Sequence, residues 1–301
     1  MCGLIIFFLI YYNDLPSSLS CNVDAYADDS TLSATGTSVA EINETLTADC
    51  TKVVNWMASN QFKLNASKTH LLTVGTRERL RTLDYQVSVA MDGVQLAVSE
   101  EKSELLLGCE LQPDLKWHSQ IEKLQVKLKK RLLGLTSLKY VLPFPTRNQV
   151  TLAMFNSTLV YCLPLFGGCY ASEINQLQVL QNKAAQIVTH SPPRSHRLPM
   201  YLKLKWLTVN QLAAYHTLLA VFRMKNSGEP EYLATIFRVE GGAGRMILPR
   251  TRLTLFMNSF AWRGAALWNR MPMNLRKCMK ISSFKKGAKK WIQENIPKFL
   301  D

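Results

Sequence analysis

No cysteine pair in this sequence has the spacing of a zinc or redox site. The seven cysteines (Cys2, Cys21, Cys50, Cys109, Cys162, Cys169 and Cys278) are odd in number and scattered, none stands in a C-x-x-C pair, and the five histidines add no matching ligand spacing. They read as reduced thiols of an intracellular protein, nuclear or cytoplasmic, mostly buried as small hydrophobes. A membrane-spanning run is lacking too. The apolar stretch from Cys2 to Tyr12 ends in Asn13-Asp14, short of the roughly 20 residues a span needs. No Lys or Arg precedes it, so a secretory signal is disfavoured even though Ala25-Tyr26-Ala27 mimics a cleavage site. A buried helix is expected there, and no membrane partner. Internal repeats and low-complexity tracts are absent. With 47% hydrophobic and 19% charged residues, wholesale disorder is excluded.

Acidic residues are scarce where basic ones are dense. Residues 1–110 hold 7 Lys and Arg against 14 Asp and Glu; residues 111–301 hold 29 against 8, giving the net charge of +14. An acidic front and a strongly basic back point to a polyanionic partner, nucleic acid ahead of an anionic surface. A merely soluble basic domain remains the bland alternative.

The strand signals lie in the front. Cys21 to Ala34 reads as a hairpin, with Val23, Tyr26 and Leu32 as strand formers and Ala27-Asp28-Asp29 where a tight turn belongs. Ser38-Val39-Ala40-Glu41 is a capping box opening a helix to about Ser59, with Val39, Ile42, Leu46, Cys50, Val53 and Met57 on one face. Asn65 to Lys68 reads as a turn and His70 to Val74 as a strand. Asp92-Gly93 between Val87/Val89 and Val94/Leu96/Val98 is a hairpin signal, and Glu104 to Leu111 reads as one more buried strand. From about Trp117 the pattern is helical. Ile121, Leu124, Leu128, Leu132 and Leu135 share one face, and Lys123, Lys127, Lys130 and Arg131 another. Breaks fall at 142–145, at Ser191-Pro192-Pro193 and around Glu240 to Gly244, the last two as linkers. The predicted class is α+β, in three segments: 1–116 strand-rich, 117–190 helical, and 191–301 basic and helical.

Two adjacent carboxylates at a hairpin turn suit a hard divalent cation such as Mg²⁺, which takes oxygen ligands. The bare Asp-Asp dipeptide is weak evidence, because Asp is favoured in turns anyway. Its neighbours change that. Phe8-Leu9-Ile10-Tyr11-Tyr12-Asn13-Asp14-Leu15-Pro16 followed by Tyr26-Ala27-Asp28-Asp29 resembles the reverse transcriptases of LINE-type (non-LTR) retrotransposons of the jockey-like group. The likeness continues in order through Val54-Asn55-Trp56, Leu64-Asn65-Ala66-Ser67-Lys68-Thr69, Leu107-Gly108 and Asp114-Leu115-Lys116-Trp117. It goes on through Leu180-Gln181-Asn182-Lys183-Ala184-Ala185, Trp206-Leu207, Ala266-Leu267-Trp268-Asn269-Arg270-Met271-Pro272 and Ser283-Phe284-Lys285-Lys286.

The resemblance implies a partial polymerase palm over 1–116, an α-helical thumb over 117–190 and a helical C-terminal domain. Asp28 and Asp29 would be the metal ligands for Mg²⁺ in two-ion nucleotidyl transfer, and Tyr26 would sit at the primer end. Lys68 would lie near the incoming deoxynucleoside triphosphate as a general acid; a solvated lysine closing a turn is the equal alternative. Leu107 and Gly108 would form the primer-gripping hairpin, or else a bend in a strand. Lys123, Lys127, Lys130 and Arg131 would track an RNA template and DNA primer through phosphates, or else form an ordinary solvated face. Trp262, Trp268 and Trp291 lie among basic residues; core packing is preferred for them over base stacking, and His190 and His196 read as loop residues. The family's earlier catalytic Asp and its nucleotide-holding fingers fall outside the motifs present. The chain alone is therefore expected not to synthesise DNA, with a non-catalytic RNA- or DNA-binding protein as the alternative. An incomplete palm sheet is expected to leave an unpaired edge.

Overall fold

The computed structural model describes residues 10–63, 65, 68–82, 88–91, 94–97, 103–240 and 244–296. Mixed α+β in class and mostly helical, the chain divides into two compact units, residues 1–116 and 117–301. Every sheet among the described residues is a two-stranded antiparallel hairpin.

In the first unit, β1 (Asn22–Tyr26) pairs with β2 (Asp29–Ser33) in a register that puts Val23 opposite Leu32 and Tyr26 opposite Asp29. Alternation sends Val23 and Leu32 inward, while Asp24, Tyr26, Asp29 and Thr31 share the outer face. Helix α1 (Val39–Ser59) starts at Ser38, whose hydroxyl accepts from the Glu41 amide at 3.2 Å. The Glu41 carboxylate reaches back to the amide of Thr37, one residue earlier than the usual box. Leu46, Cys50 and Val53 form a small core with Leu15, against which Tyr12, Leu32, Ile42, Trp56 and Met57 pack. Of the expected buried N-terminal helix, only Ile10–Tyr12 falls within the described residues. Those three are helical, but Ile10 and Tyr11 are exposed, so burial there is confined to Tyr12.

Asp49 is fully buried beside this apolar face. Its Oδ2 accepts the amides of Ser20 and Cys21, both at 2.7 Å, and its Oδ1 accepts Lys52 Nζ at 2.8 Å. Burial alone would raise its pKa. The donors from Lys52, Cys21 and Ser20 outweigh that and hold it well below the usual carboxylate range. In turn, burial and the Asp49 carboxylate push the Cys21 thiol up to about 11.

Two strand expectations need correction. His70 to Val74 has a single bridging residue, Leu71, and is otherwise irregular. Glu104 to Leu111 is not one strand but a hairpin, β5 (Glu104–Leu106) against β6 (Cys109–Leu111). A pair β3 (Ser88–Met91) and β4 (Val94–Ala97) flanks the predicted Asp92-Gly93 turn, which itself lies outside the described residues, as do Val87 and Val98.

The second unit is built on helices α2 (His118–Ser137), α3 (Phe144–Thr151), α4 (Ala171–Thr189), α5 (Arg197–Leu204), α6 (Val209–Ser227), α7 (Phe260–Arg270) and α8 (Ile281–Asn295). One core runs through it, from Ile121 and Leu128 on α2 to Phe284 and Ile292 on α8. The break at Pro192-Pro193 does not divide that core, which has Leu180 and Ala184 before it and Leu207 and Val209 after it. A second, smaller core packs Ala185 and Val188 on Met200, Tyr201 and Leu204 across the same break. Helix α6 is central and buried on most sides, packing against α7 and α8. The region around Glu240 is a short hairpin rather than a linker, Val239–Glu240 against Arg245–Met246. Asn269 pins it like a strand neighbour: its Oδ1 accepts the Met246 amide and its Nδ2 donates to the Met246 carbonyl, each at 2.7 Å.

Several buried polar groups inside this unit find partners in one another or in nearby backbone carbonyls. Gln178, Gln181, Asn182 and Tyr201 form one buried cluster, with Tyr201 OH 2.8 Å from Asn182 Oδ1 and Gln178 Nε2 donating to Tyr201 OH at 2.6 Å. Gln181 Nε2 donates to the Leu207 carbonyl and Gln211 Nε2 to that of Ile296. Among the described residues, buried Arg147 pairs with no carboxylate. Its guanidinium donates to the carbonyls of Val188, Lys139 and Leu142, which end the neighbouring helices.

Candidate functional site

The hairpin of β1 and β2 turns through Ala27 and Asp28 alone. A two-residue connection needs positive φ at its first central position, and Ala27 supplies it at φ 53. A β-carbon in that region costs on the order of 1 kcal/mol, so the turn is held by its flanking ladder and not by local preference. Tyr26 and Asp29, directly opposite each other, close the ladder. Tyr26 is 68% exposed, and Asp28 and Asp29 are exposed with it. The result is two carboxylates and a phenol at the free end of a rigid ribbon. Tyr12 braces its other face, with its hydroxyl 2.7 Å from Ser30 Oγ.

Among the described residues no group of three or more His, Cys, Asp or Glu is assembled that would hold a metal ion. Lys68 is exposed at the turn its amide closes with the Asn65 carbonyl at 3.0 Å, and no described contact links it to Asp28 or Asp29. The geometry therefore joins Tyr26, Asp28 and Asp29 and leaves Lys68 apart.

Leu107 and Gly108 are the two central residues of the β5–β6 turn, with φ 47 and φ 79. Positive φ at both marks the tight hairpin turn whose twist matches its strands. Gly108 adopts it freely, whereas Leu107 does so under strain. Leu105, Leu106 and Leu107 all expose apolar surface at this tip.

On α2 the sequence separates two faces, and both are present. Ile121, Leu124, Leu128, Leu132 and Leu135 are buried; Lys123, Lys127, Lys130 and Arg131 are exposed. At about 100° per residue the four cations lie within one arc of the helix, and Gly134 falls inside that arc with open space where a β-carbon would stand. Helix α8 carries a second row, since Phe284, Ala288 and Ile292 face the core while Lys285, Lys286, Lys289 and Lys290 face outward or lie partly covered. Of the three tryptophans noted in the sequence, Trp268 is fully buried and donates Nε1 to the Gly244 carbonyl at 3.0 Å, and Trp291 packs against the core. Core packing accounts for both.

Several residues that matter escaped the sequence. Asp49 lies within the apolar spacing of α1, and a carboxylate at the edge of such a face was a usable signal. Gln181 and Asn182 were legible as part of a motif but not as buried polar groups. His190 and His196 are exposed loop residues as expected, His190 meeting the Lys139 carbonyl at 2.8 Å through Nε2. None of the described cysteines is in a disulfide, but only Cys50 and Cys109 among them are buried, fewer than anticipated.

No helix among the described residues is long and apolar enough to cross a membrane. No family model, curated protein or solved structure matches this chain.

Proposed function

We propose that this chain derives from the reverse transcriptase of a LINE-type, jockey-like retrotransposon, an RNA-directed DNA polymerase, and that it binds nucleic acid through its basic helical unit. The observation that carries the reading is the hairpin end itself. A strained two-residue turn presents Asp28 and Asp29 beside exposed Tyr26, the arrangement a metal-binding polymerase turn requires. The order of the motifs along the chain supports it. So does the hairpin at Leu107-Gly108, where the resemblance implied a primer grip. The exposed arc of Lys123, Lys127, Lys130 and Arg131 is the thumb-like contact to an RNA template and DNA primer.

Asp28 and Asp29 fit Mg²⁺ in donor type, each offering hard carboxylate oxygens with room for retained waters. Bound there, Mg²⁺ would activate a primer 3′-hydroxyl and neutralise the leaving oxygens of a deoxynucleoside triphosphate. The two carboxylates project past the sheet end; Tyr26 flanks them and limits how a strand end approaches. With no third ligating side chain grouped beside them, the chain by itself is proposed to grip nucleic acid without extending a primer. That absence among the described residues favours a second reading, a non-catalytic RNA- or DNA-binding protein.

Primer extension with RNA template, DNA primer, deoxynucleoside triphosphates and Mg²⁺ separates these. The expected result is template–primer binding with no extension. Extension that Asp28→Ala abolishes would establish polymerase activity in this chain. Absence of any nucleic-acid affinity would overturn both readings.

A further inference from the structure

Helix α6 leaves one of its faces uncovered. Tyr215, His216, Leu219, Ala220 and Arg223 recur there at helical spacing, and the small Ala220 opens a cavity of about 420 Å³ between them and their neighbours. Val160 and Pro164 form one apolar wall, and Lys285 reaches in from α8. This volume lies in the range of small-ligand sites, which combine apolar lining with a few convergent polar groups.

The polar groups here are of one kind. His216, Arg223 and Lys285 line the cavity together with Tyr215, and among the described residues no carboxylate does. Among the described residues neither Arg223 nor Lys285 forms an ion pair with an acidic side chain. Burial, and then the nearby Arg223 charge, lower the pKa of His216, which favours the neutral ring as a hydrogen-bonding group beside the two cations. The Tyr215 and His216 rings stand 5.5 Å apart at 85°, giving the pocket a rigid aromatic corner. A lone inorganic anion would use the cations and leave the apolar wall and the aromatic corner empty. A flat, partly apolar group carrying a phosphate uses both.

We propose that this cavity is a phosphate-binding pocket that takes one nucleoside monophosphate unit, with the phosphate against Arg223, Lys285 and His216 and the base toward Val160, Pro164 and Tyr215. The unit comes either from free nucleotide or from the phosphorylated end of a strand. None of the pocket residues belongs to the cationic arc of α2, so the two sites can be lost independently.

Titration calorimetry on the full chain tests it, with AMP, adenosine, inorganic phosphate, and short oligoribonucleotides of one sequence with and without a 5′-phosphate. AMP or the 5′-phosphorylated strand should bind, and adenosine should not. Binding by AMP but not by the phosphorylated strand identifies free nucleotide as the source, and binding by the phosphorylated strand at least as tight as by AMP identifies the strand end. Arg223→Gln and Lys285→Gln, both at exposed positions, should each weaken that binding about tenfold, the scale of one charge-assisted hydrogen bond, with an unchanged melting temperature. Reversing the charges of Lys123, Lys127, Lys130 and Arg131 should leave it intact even if long-strand binding disappears. The proposal is overturned if neither AMP nor the phosphorylated strand binds, if adenosine binds as well as AMP, or if the two glutamine variants bind normally.

Discussion

The carboxylate of Asp49 lies 2.7 Å from the amide nitrogen of Cys21, fixing the residue that immediately precedes the acidic hairpin to the middle of helix α1. A buried anion sets where the first strand begins, and thereby where the carboxylates at its far end project. Asp49→Asn keeps the shape and one acceptor but loses the charge that Lys52 and two amides satisfy. It should destabilise the first unit by about 2–3 kcal/mol at neutral pH. Because the folded pKa of Asp49 is depressed, its contribution is fully present above the ordinary carboxylate range and is lost progressively as the pH falls from there through the depressed folded pKa. The gap between wild type and variant in hydrogen exchange at Ser20 and Cys21 should therefore be widest at pH 7, begin to narrow only below the ordinary carboxylate range, and still be open at pH 3. A gap that does not depend on pH would contradict the charge argument.

Strain in the two hairpin turns has a signed consequence. Ala27→Gly and Leu107→Gly relieve positive φ and should leave stability unchanged or raise it by up to about 1 kcal/mol, against the usual penalty for introducing glycine. Ala27→Val should lower it by about 1–2 kcal/mol, since a β-branched residue tolerates that region worst. Denaturant titration of the three variants reads the order directly.

The cationic arc of α2 predicts salt behaviour. Binding to a template–primer duplex should weaken steeply between low and physiological salt. Replacing Lys123, Lys127, Lys130 and Arg131 by Glu should flatten the log–log slope by about three or more, since each phosphate contact contributes roughly 0.9. A slope that survives the four changes would move the contact elsewhere, to the lysines of α8 first.

Gly168 has no room for a side chain. A β-carbon there would stand 2.2 Å from the Asn258 carbonyl oxygen and 2.8 Å from Arg263 Cδ. Backbone cannot yield as a flexible side chain does, so Gly168→Ala should cost about 2–3 kcal/mol and lower the melting temperature of the helical unit. Gly134→Ala, with open space around it, should stabilise α2 by up to about 1 kcal/mol.

What the sequence made legible follows from how local each cause is. Ser38 and the apolar spacing after it gave α1 nearly to the residue, because both the cap and the face are written within one helix. The α2 faces were equally plain. Leu105-Leu106-Leu107 hid a turn, because an apolar run reads as a strand and leucine is a poor signal for positive φ; only Gly108 marked the spot. Pro192-Pro193 looked like a boundary because proline ends helices, yet whether the flanking helices pack together is a tertiary matter. The cavity on α6 was invisible for the same reason, since Val160, Pro164 and Lys285 are far in sequence from His216 and Arg223. Asp28 and Asp29 were found by their neighbours, and their placement at a two-residue turn follows from the strand formers on either side.

The hydrogen bond from Gln211 to the carbonyl of Ile296 spans 85 positions, and Ile292 and Ile296 belong to the same core as Ile121. A ribosome makes the first unit whole long before it makes the last layer of the second. Chains are built at about 5–20 residues per second, so for many seconds the growing product carries a half-covered apolar surface beside a high density of positive charge. Ribosomal RNA, the nearest polyanion, surrounds it throughout. Slow codons between 117 and 296 would prolong that exposure.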